Sequence, residues 1–192
     1  MDTTRVRARR WSRSEYEWLI DQGVFRDDER LELLAGVLVV KEPQGNHHAV
    51  AVDLVLAALQ RAFGTGWLVR AHAPVDLGQR SRPEPDVSVV AGSPRDYREA
   101  APTRPVLVVE VSQTSLAIDR TRKAAIYARA GIGDYWIVNL VDGVVEVYRE
   151  PAPSGPHRRG WTYRSVEQFR DGAIVTPLAA PLARIEAADL LP

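Results

Sequence analysis

Apolar and polar residues alternate along the chain with helical and strand periods that divide it into short elements. Residues 12–22 have helical spacing, and Ser12 with Glu15 three positions later forms a capping box, so a helix is predicted there. Two apolar runs, 31–34 and 37–40, flank a two-residue turn and predict a β-hairpin. The chain is therefore expected to open with a helix followed by a hairpin.

A longer segment, residues 47–63, is apolar on nearly every side, with Asp53 as its only charge before Arg61. This pattern predicts a helix that is buried on most of its faces. A further helix is predicted over 116–130, and it ends at Gly131. Strands are predicted over 67–77 (as one strand or two), 86–90, 106–111, 135–140, 144–149, 161–166 and 173–176.

Strands that alternate with two core helices indicate an α/β fold, and the hairpins among them indicate a mixed sheet. Loops over 91–104 and 151–160 are rich in proline and charge, but no segment is convincing as an interdomain linker. The sequence therefore predicts a single domain over residues 1–192, with a mixed central β-sheet flanked by helices.

Composition narrows the class of protein. The chain has 192 residues, 45% of them hydrophobic, which is enough to bury a core. Its lack of cysteine excludes a disulfide framework and thiolate metal sites, and fits a reducing cytosol. No apolar run approaches the roughly 20 residues of a membrane span, and no signal peptide follows the basic Arg5, Arg7, Arg9 and Arg10. We therefore expect a cytoplasmic protein that does not enter a membrane.

Charge balance adds one further clue. The net charge of zero argues against non-specific coating of nucleic acid, although it does not forbid a local basic cleft. Of the 25 basic residues, 23 are arginine, and only Lys41 and Lys123 are lysine. An otherwise arginine-only chain that keeps two lysines suggests that a compact ammonium is needed at one of these positions.

Two acidic residues interrupt strands that are otherwise apolar. Glu110 lies inside the aliphatic run 106–111, where an unpaired carboxylate costs several kcal/mol unless it is paired, protonated or bound to metal. Asp86 begins the predicted strand 86–90, which precedes the strand of Glu110. The alternative is that Asp86 only ends the turn after Pro85. Glu110 in turn could be part of an ordinary buried ion pair. If the two acids converge, they could hold a hard cation such as Mg²⁺.

The predicted helix 116–130 supplies a cation for these acids. Lys123 falls in the middle of the apolar arc that Ile126 and Tyr127 define on the helical wheel. A lysine on the core-facing side needs a partner. Asp119, four residues earlier, is the simpler candidate, and the carboxylates of the preceding strand are the functional one.

Four other polar residues are candidates for the same site. Glu32 lies among leucines beside the hairpin turn, but strict alternation places it on the solvent side. His48 begins the helix 47–63, where a histidine is usually a cap or a surface group. His72 and His157 show no ligand spacing, so a zinc site is not expected.

Two or three acids and one lysine are the minimal set for metal-assisted hydrolysis of phosphodiesters. The acids hold Mg²⁺, for which Mn²⁺ is the expected substitute, and the ammonium orients a water molecule or stabilises charge on the phosphate. The chain contains no P-loop, no Gly-x-Gly-x-x-Gly and no Gly-x-Ser-x-Gly, which disfavours kinase, dinucleotide and serine-hydrolase functions.

These motifs resemble the PD-(D/E)XK nuclease superfamily and, over most of residues 12–150, the Uma-two family of bacterial endonucleases. The resemblance implies a restriction-endonuclease-like core, Mg²⁺ dependence and DNA as substrate. By position, it implies that Asp86, Glu110 and Glu32 bind metal. The superfamily lysine is expected two residues after Glu110, where this chain has Ser112, so the lysine function is carried to Lys123. The matching stretches are Arg30–Gly36, His48–Val50, Pro83–Val87, Val108–Val111, Asp119–Lys123 and Tyr127–Ile137.

Three functions remain open at this stage. The leading one is a Mg²⁺-dependent endonuclease that acts on DNA, and RNA remains an alternative substrate. A homodimer is suggested by analogy with nucleases that cut both strands. The second is a nuclease-fold module that binds nucleic acid or a partner protein without cutting, and the third is a protein whose metal holds the sheet together. In all of them, His48 and Asp119 are expected to support the acids. The arginines expected to flank the acids and contact DNA are Arg80, Arg82, Arg95, Arg98, Arg120 and Arg122.

Overall fold

A six-stranded mixed β-sheet lies at the centre of the molecule in this computed structural model, which describes residues 8–26, 28–155 and 160–192. All neighbouring strands run antiparallel except β5 and β6. These two are parallel because a helical connection returns the chain to the end of the sheet at which β5 begins. The strands stand in the order of the chain: β3 (Trp67–Ala71), β4 (Val87–Ala91), β5 (Leu107–Ser112), β6 (Asp134–Asn139), β7 (Val144–Pro153) and β8 (Trp161–Phe169). The predicted α/β fold with a mixed central sheet flanked by helices is confirmed.

Two small antiparallel sheets and several helices accompany the central sheet. The connection between β5 and β6 is helical throughout, but its middle is a π-helical turn. The elements are α1 (Arg13–Asp21), β1 (Leu31–Leu34), β2 (Val37–Val40), α2 (Asn46–Phe63), α3 (Leu116–Ile118), the π turn (Asp119–Lys123), α4 (Ala124–Arg129), β9 (Ile174–Val175), β10 (Ile185–Glu186) and the 3₁₀ turns Pro94–Tyr97 and Ala187–Leu190. Among the described residues, none of these helices has both the length and the apolar character needed to cross a bilayer.

The first helix and hairpin form as the sequence predicts. Ser12 Oγ accepts a hydrogen bond from the Glu15 amide (3.2 Å), and the Glu15 carboxylate accepts one from the Ser12 amide (2.8 Å), which completes the capping box. The hairpin turn places Ala35 and Gly36 at φ of 51° and 81°, in the left-handed region. A Cβ on Gly36 would also stand 2.9 Å from the Arg10 Cβ, so glycine fits both the turn and its neighbour.

Four predicted elements differ from the structure. The long helix α2 is buried along one side only, and Val50 is 48% exposed, because its apolar residues on the outer face meet no other element. The segment 67–77 forms the single strand β3, since the chain leaves the sheet at His72 with a positive φ. The helix over 116–130 contains the π turn. The loop 151–160 is shorter than expected because β7 continues to Pro153. Residues 156–159 of this loop, which include His157, lie outside the described residues, as do Arg5 and Arg7.

The sheet buries both of its faces, and this decides where Glu110 points. Val109 and Val111 pack toward α2, whereas Val108 packs with Tyr127 of α4 on the opposite face. Because side chains alternate along a strand, Glu110 shares the face of Val108. Each fully buried valine contributes about 1.5–3 kcal/mol, so the register of β5 is strongly fixed, and with it the direction of Glu110 into the interface with the helix.

Candidate active site

Glu110 is held by two donors from the helical connection. It is buried in the middle of β5, with 2% of its surface exposed. Its Oε1 atom accepts hydrogen bonds from the Tyr127 hydroxyl (2.5 Å) and from the Lys123 ammonium (3.0 Å). The described part of the chain supplies no hydrogen bond to its other oxygen, Oε2. Glu110 is therefore fixed in position through one oxygen while the second is free to bind another group.

Lys123 joins Glu110 to the N-terminal hairpin. Its Nζ atom lies 3.2 Å from Glu32 Oε2, and Glu32 Oε1 in turn accepts a hydrogen bond from the Glu84 amide (2.9 Å). The expectation that Glu32 faces solvent is wrong, since only 3% of its surface is exposed. Glu32 and its neighbours Leu33 and Leu34 are all buried, so β1 buries side chains on both of its faces and alternation does not bring Glu32 to the surface.

The π turn brings Asp119 and Lys123 to the same buried side of the helix. Asp119 Oδ2 accepts a hydrogen bond from the Ser112 hydroxyl (2.7 Å), the residue that stands two positions after Glu110. Its other oxygen, Oδ1, is buried with no hydrogen-bond donor among the residues that the structure describes, and it lies 3.8 Å from Lys123 Nζ. Glu110 and Glu32 are nearer to Lys123 than Asp119 is, so the carboxylates of the strand and hairpin are its main partners.

Asp86 lies beside Glu110 in a different set of contacts. Val87 pairs with Val109 in antiparallel register, so the residue before Val87, Asp86, stands opposite the residue after Val109, Glu110. Its Oδ2 accepts a hydrogen bond from the Val111 amide (2.8 Å), and His48 Nε2 lies 3.2 Å from the same oxygen. His48 is therefore buried against an acid and is neither a cap nor a surface group, since α2 starts against this end of β4.

Three residues of this cluster were not expected from the sequence. Lys41 Nζ donates to Asp86 Oδ1 (2.9 Å), and His72 Nδ1 lies 3.5 Å from the same oxygen. Tyr127 is the third. The scarcity of lysine was a usable signal for Lys41, and the apolar arc of the helix for Tyr127. His72 reaches Asp86 from a backbone with φ of 47°, a strained conformation that is common at functional sites and invisible in a sequence.

The cluster carries more negative than positive charge. Burial raises the pKa of Glu110 to about 8. The positive charge of Lys123 lowers this pKa by less than burial raises it, and the neighbouring acids raise it further. Burial opposes the charge of Lys123 too, but Glu110, Glu32 and Asp119 raise its pKa well above its ordinary value. Burial also opposes the charge of Asp86, yet the hydrogen bond from His48 and the charge of Lys41 hold its pKa well below its usual range. Four carboxyls meet two ammonium groups here: Glu32, Asp86, Glu110 and Asp119, with Lys41 and Lys123.

The pKa of Glu110 predicts how stability depends on pH. The folded protein raises this pKa from 4.5 to about 8, so folding favours the protonated carboxyl. Its stabilising contribution is complete below about pH 4.5 and is lost as the pH rises through 8. In EDTA, we expect the free energy of unfolding to fall by about 1–4 kcal/mol between pH 6 and pH 9. Urea unfolding at both pH values measures this change.

The variant Glu110→Gln is the control for that pH dependence. A glutamine keeps the shape of the side chain and has no titrating proton, so the fall in stability between pH 6 and pH 9 should largely vanish. If the variant and the wild type lose the same free energy over this interval, another group titrates there and the assignment to Glu110 is wrong.

The donor set suits a hard divalent cation in chemistry and charge. Carboxylate oxygens are the ligands that Mg²⁺ prefers, the four carboxyls outnumber the two ammonium groups, and Glu110 Oε2 has no donor among the described residues. Within residues 8–26, 28–155 and 160–192, however, no group of three or more His, Asp or Glu side chains is close enough to form a ready metal site. Glu32 is engaged by Lys123 and the Glu84 amide, so the geometry brings together two acids, Asp86 and Glu110, and does not add Glu32 to them.

The arginines expected to contact DNA divide into two groups. Arg82 is bound in ion pairs with Asp76 and Glu17, and Arg120 in ion pairs with Glu146 and Asp142. These two guanidinium groups connect elements of the fold and are not free cations, so their contact with DNA stays a prediction. Among the described residues, Arg80, Arg95 and Arg122 are exposed and form no ion pair, and Arg98 pairs only with its exposed neighbour Glu99.

Comparisons with known proteins identify a family and a shared fold. The sequence profile of a family described as "Putative restriction endonuclease" matches residues 13–184. Among solved structures, the chain is similar to a crystal structure of "a putative nuclease belonging to DUF820" from Anabaena variabilis, with a TM-score of 0.66 and 17% sequence identity. The similarity covers 88% of this chain and 94% of that one, and it shows a shared fold. No protein with curated annotation matches.

Proposed function

This chain belongs to the Uma2 (Uma-two) family, described as "Putative restriction endonuclease", and from that premise we propose that it is a Mg²⁺-dependent endonuclease that cuts DNA. One observation carries the proposal. Asp86, Glu110 and Lys123, which are distant in sequence, meet in one buried cluster with more acids than cations. A buried surplus of negative charge is costly unless a cation or protons balance it. We infer that the cluster exists to bind a divalent ion.

The residues of the chain divide the work as follows. Asp86 and Glu110 would hold the ion. Glu32, which contacts Lys123, would add a third negative charge to the cluster. When bound, Mg²⁺ polarises the phosphodiester and lowers the pKa of a water molecule. His48 orients the Asp86 carboxylate through the contact at 3.2 Å. Tyr127 fixes Glu110 Oε1 and so would leave Oε2 for the ion.

Lys123 acts as a fixed positive charge. Its pKa lies well above the ordinary value, because the surrounding acids outweigh the effect of burial, so it keeps its proton at neutral pH. A lysine in this state cannot serve as a general base. It can orient a water molecule or stabilise the negative charge that develops on the phosphate oxygens. Asp119, held by Ser112, adds negative charge on the other side of Lys123 and supports its position.

Cleavage of supercoiled plasmid tests the proposal. With Mg²⁺ or Mn²⁺, the purified protein is expected to convert the plasmid to nicked and linear forms, and EDTA is expected to abolish this. Separation of the products on a gel measures the rate. Cleavage that persists in EDTA would contradict the metal dependence, and cleavage of an RNA strand with no effect on DNA would contradict the substrate.

A second candidate function is a nuclease-fold module that binds nucleic acid or a partner protein without cutting. The burial of the acids favours it: Glu32, Asp86 and Glu110 are each no more than 3% exposed, and each has an ammonium group within 3.2 Å. Such a module would bind labelled DNA, as followed by fluorescence anisotropy, with no cleavage at any Mg²⁺ concentration. The plasmid assay and the anisotropy assay together separate the two functions.

A further inference from the structure

Both lysines of the chain lie against the candidate acids, although the sequence uses arginine at every other basic position. Lys123 contacts Glu110, and Lys41 contacts Asp86. The ammonium of Lys41 donates to Asp86 Oδ1 (2.9 Å) and to the Glu84 carbonyl (3.0 Å). An ammonium group has three N–H donors. The described part of the chain therefore leaves one donor of Lys41 for another acceptor.

Lys41 also differs from Lys123 in its surroundings. It forms part of the wall of an open cavity of about 490 Å³, which is within the size range of ligand sites. None of the four clustered acids lines this cavity, so Lys41 is the cluster residue that reaches it. The other charged residues of its wall are Arg26, Asp28, Glu29, Arg30 and Glu42.

The other cations of the cavity are held only weakly. Arg26 pairs with Asp28, and both side chains are more than 70% exposed. Arg30 lies 3.7 Å from Glu84 with half of its side chain exposed. Exposed ion pairs contribute about 0–1 kcal/mol, so an incoming anion can replace them at little cost. Three acids share the wall, however, so the cavity as a whole is not a general site for anions.

We propose that Lys41 binds a phosphate of the nucleic-acid backbone at the border between this cavity and Asp86, and so places the substrate beside the acid cluster. The proposal rests on the proposed nuclease function. Its support is geometric: Lys41 combines an unused donor, an open cavity and a direct contact with Asp86. Lys41 is then the ammonium that faces the substrate, and Lys123 is the ammonium inside the acid cluster. A compact, strongly hydrated point charge suits a contact with one phosphate oxygen.

The alternative is that Lys41 only neutralises Asp86. The two roles affect different measurements. If Lys41 is only the counter-ion of Asp86, it competes with a divalent cation for that carboxylate. Removal of Lys41 then changes the affinity for the cation, and the salt dependence of DNA binding stays the same. A phosphate contact releases counterions from DNA, so its removal lowers the slope of log K against log salt concentration by about 0.9 for a duplex.

The experiment measures binding of two unrelated fluorescein-labelled DNA duplexes by anisotropy over a series of NaCl concentrations, with Ca²⁺ at fixed concentration in place of Mg²⁺. Lys41→Met should weaken binding to both duplexes by the same factor and lower the salt slope by about 0.9. Lys41→Arg, which keeps the charge, should keep the slope. Arg61→Met is the matched control, because Arg61 is an exposed cation on a different cavity, and its slope should equal that of the wild type.

The outcomes separate this proposal from the proposed function. An unchanged slope in Lys41→Met overturns the role of Lys41, and cleavage by the wild type then leaves the nuclease function standing. A slope lowered to the same extent in Arg61→Met also overturns it, because the effect would be one of general charge. A lowered slope in Lys41→Met alone supports the role of Lys41 even if the wild type binds DNA without cutting it. No binding of DNA by the wild type overturns both.

Discussion

Glu110→Gln is expected to lower the rate of DNA cleavage by at least about 100-fold. Mutations of groups that only support a metal ligand cost about 10–100-fold, and Glu110 is proposed as a ligand itself. Glutamine keeps an oxygen for Tyr127 and Lys123 but loses the negative charge that would hold the cation. Single-turnover cleavage of a supercoiled plasmid at saturating Mg²⁺ measures the loss, and circular dichroism checks that the variant is folded.

A second buried glutamate of the sheet provides the matched control. Glu146 in β7 is 1% exposed and is also bound by a cation, Arg120, but it has no contact with Asp86 or Lys123 among the described residues. Glu146→Gln keeps one acceptor oxygen for Arg120 and Asn139, which both donate to Oε1 in the wild type, so we expect cleavage within a few-fold of the wild type. If Glu110→Gln cleaves as fast as Glu146→Gln, the acid cluster is not the catalytic site.

Lys123→Met is expected to lower the free energy of unfolding by about 3–5 kcal/mol at pH 8.5 in EDTA. Removing one partner of a buried ion pair leaves an uncompensated charge, which costs about this much. Lys123 is the shared partner of Glu110 and Glu32, so its loss affects both carboxyls. The whole stability of a domain is about 5–15 kcal/mol, so the variant should unfold at clearly lower urea concentrations.

The double variant Lys123→Met with Glu110→Gln tests the reason for that loss. Removing a buried acid together with its partner cation should restore part of the stability, so the two effects should not add. At pH 6, where Glu110 takes up a proton, the single variant should lose less than at pH 8.5. Additive losses with no dependence on pH would mean that Lys123 stabilises the protein through packing of its chain and not through charge. Lys123→Gln serves if methionine prevents folding.

The two central residues of the cluster could be identified from sequence because each contradicts its local environment. Glu110 is an acid within an aliphatic strand, and Lys123 is a cation on the apolar side of a helix. Both signals depend only on neighbours a few residues away. The helix, the hairpin and most strands of the sheet were predictable for the same reason, since periodicity and turn chemistry are local properties.

The remaining residues depend on distant pairings that no local pattern encodes. Glu32 is buried because Leu33 pairs with Arg82, some fifty residues later. Lys41 and His72 reach Asp86 through the course of two loops, and neither position violates a local rule. The ion pairs of Arg82 and Arg120 likewise form with acids on other elements, so these arginines look like free cations in the sequence.

The π turn has a consequence for recognising relatives of this protein. It contains one residue more than an α-helical turn, and each residue rotates a helix by about 100°. An alignment that runs through Asp119–Lys123 without a gap would therefore turn the equivalent of Lys123 away from the sheet in any relative whose helix is regular. In such relatives, the matching ammonium should be sought one position nearer to the strand acid, by the direction of its side chain and not by the spacing found here.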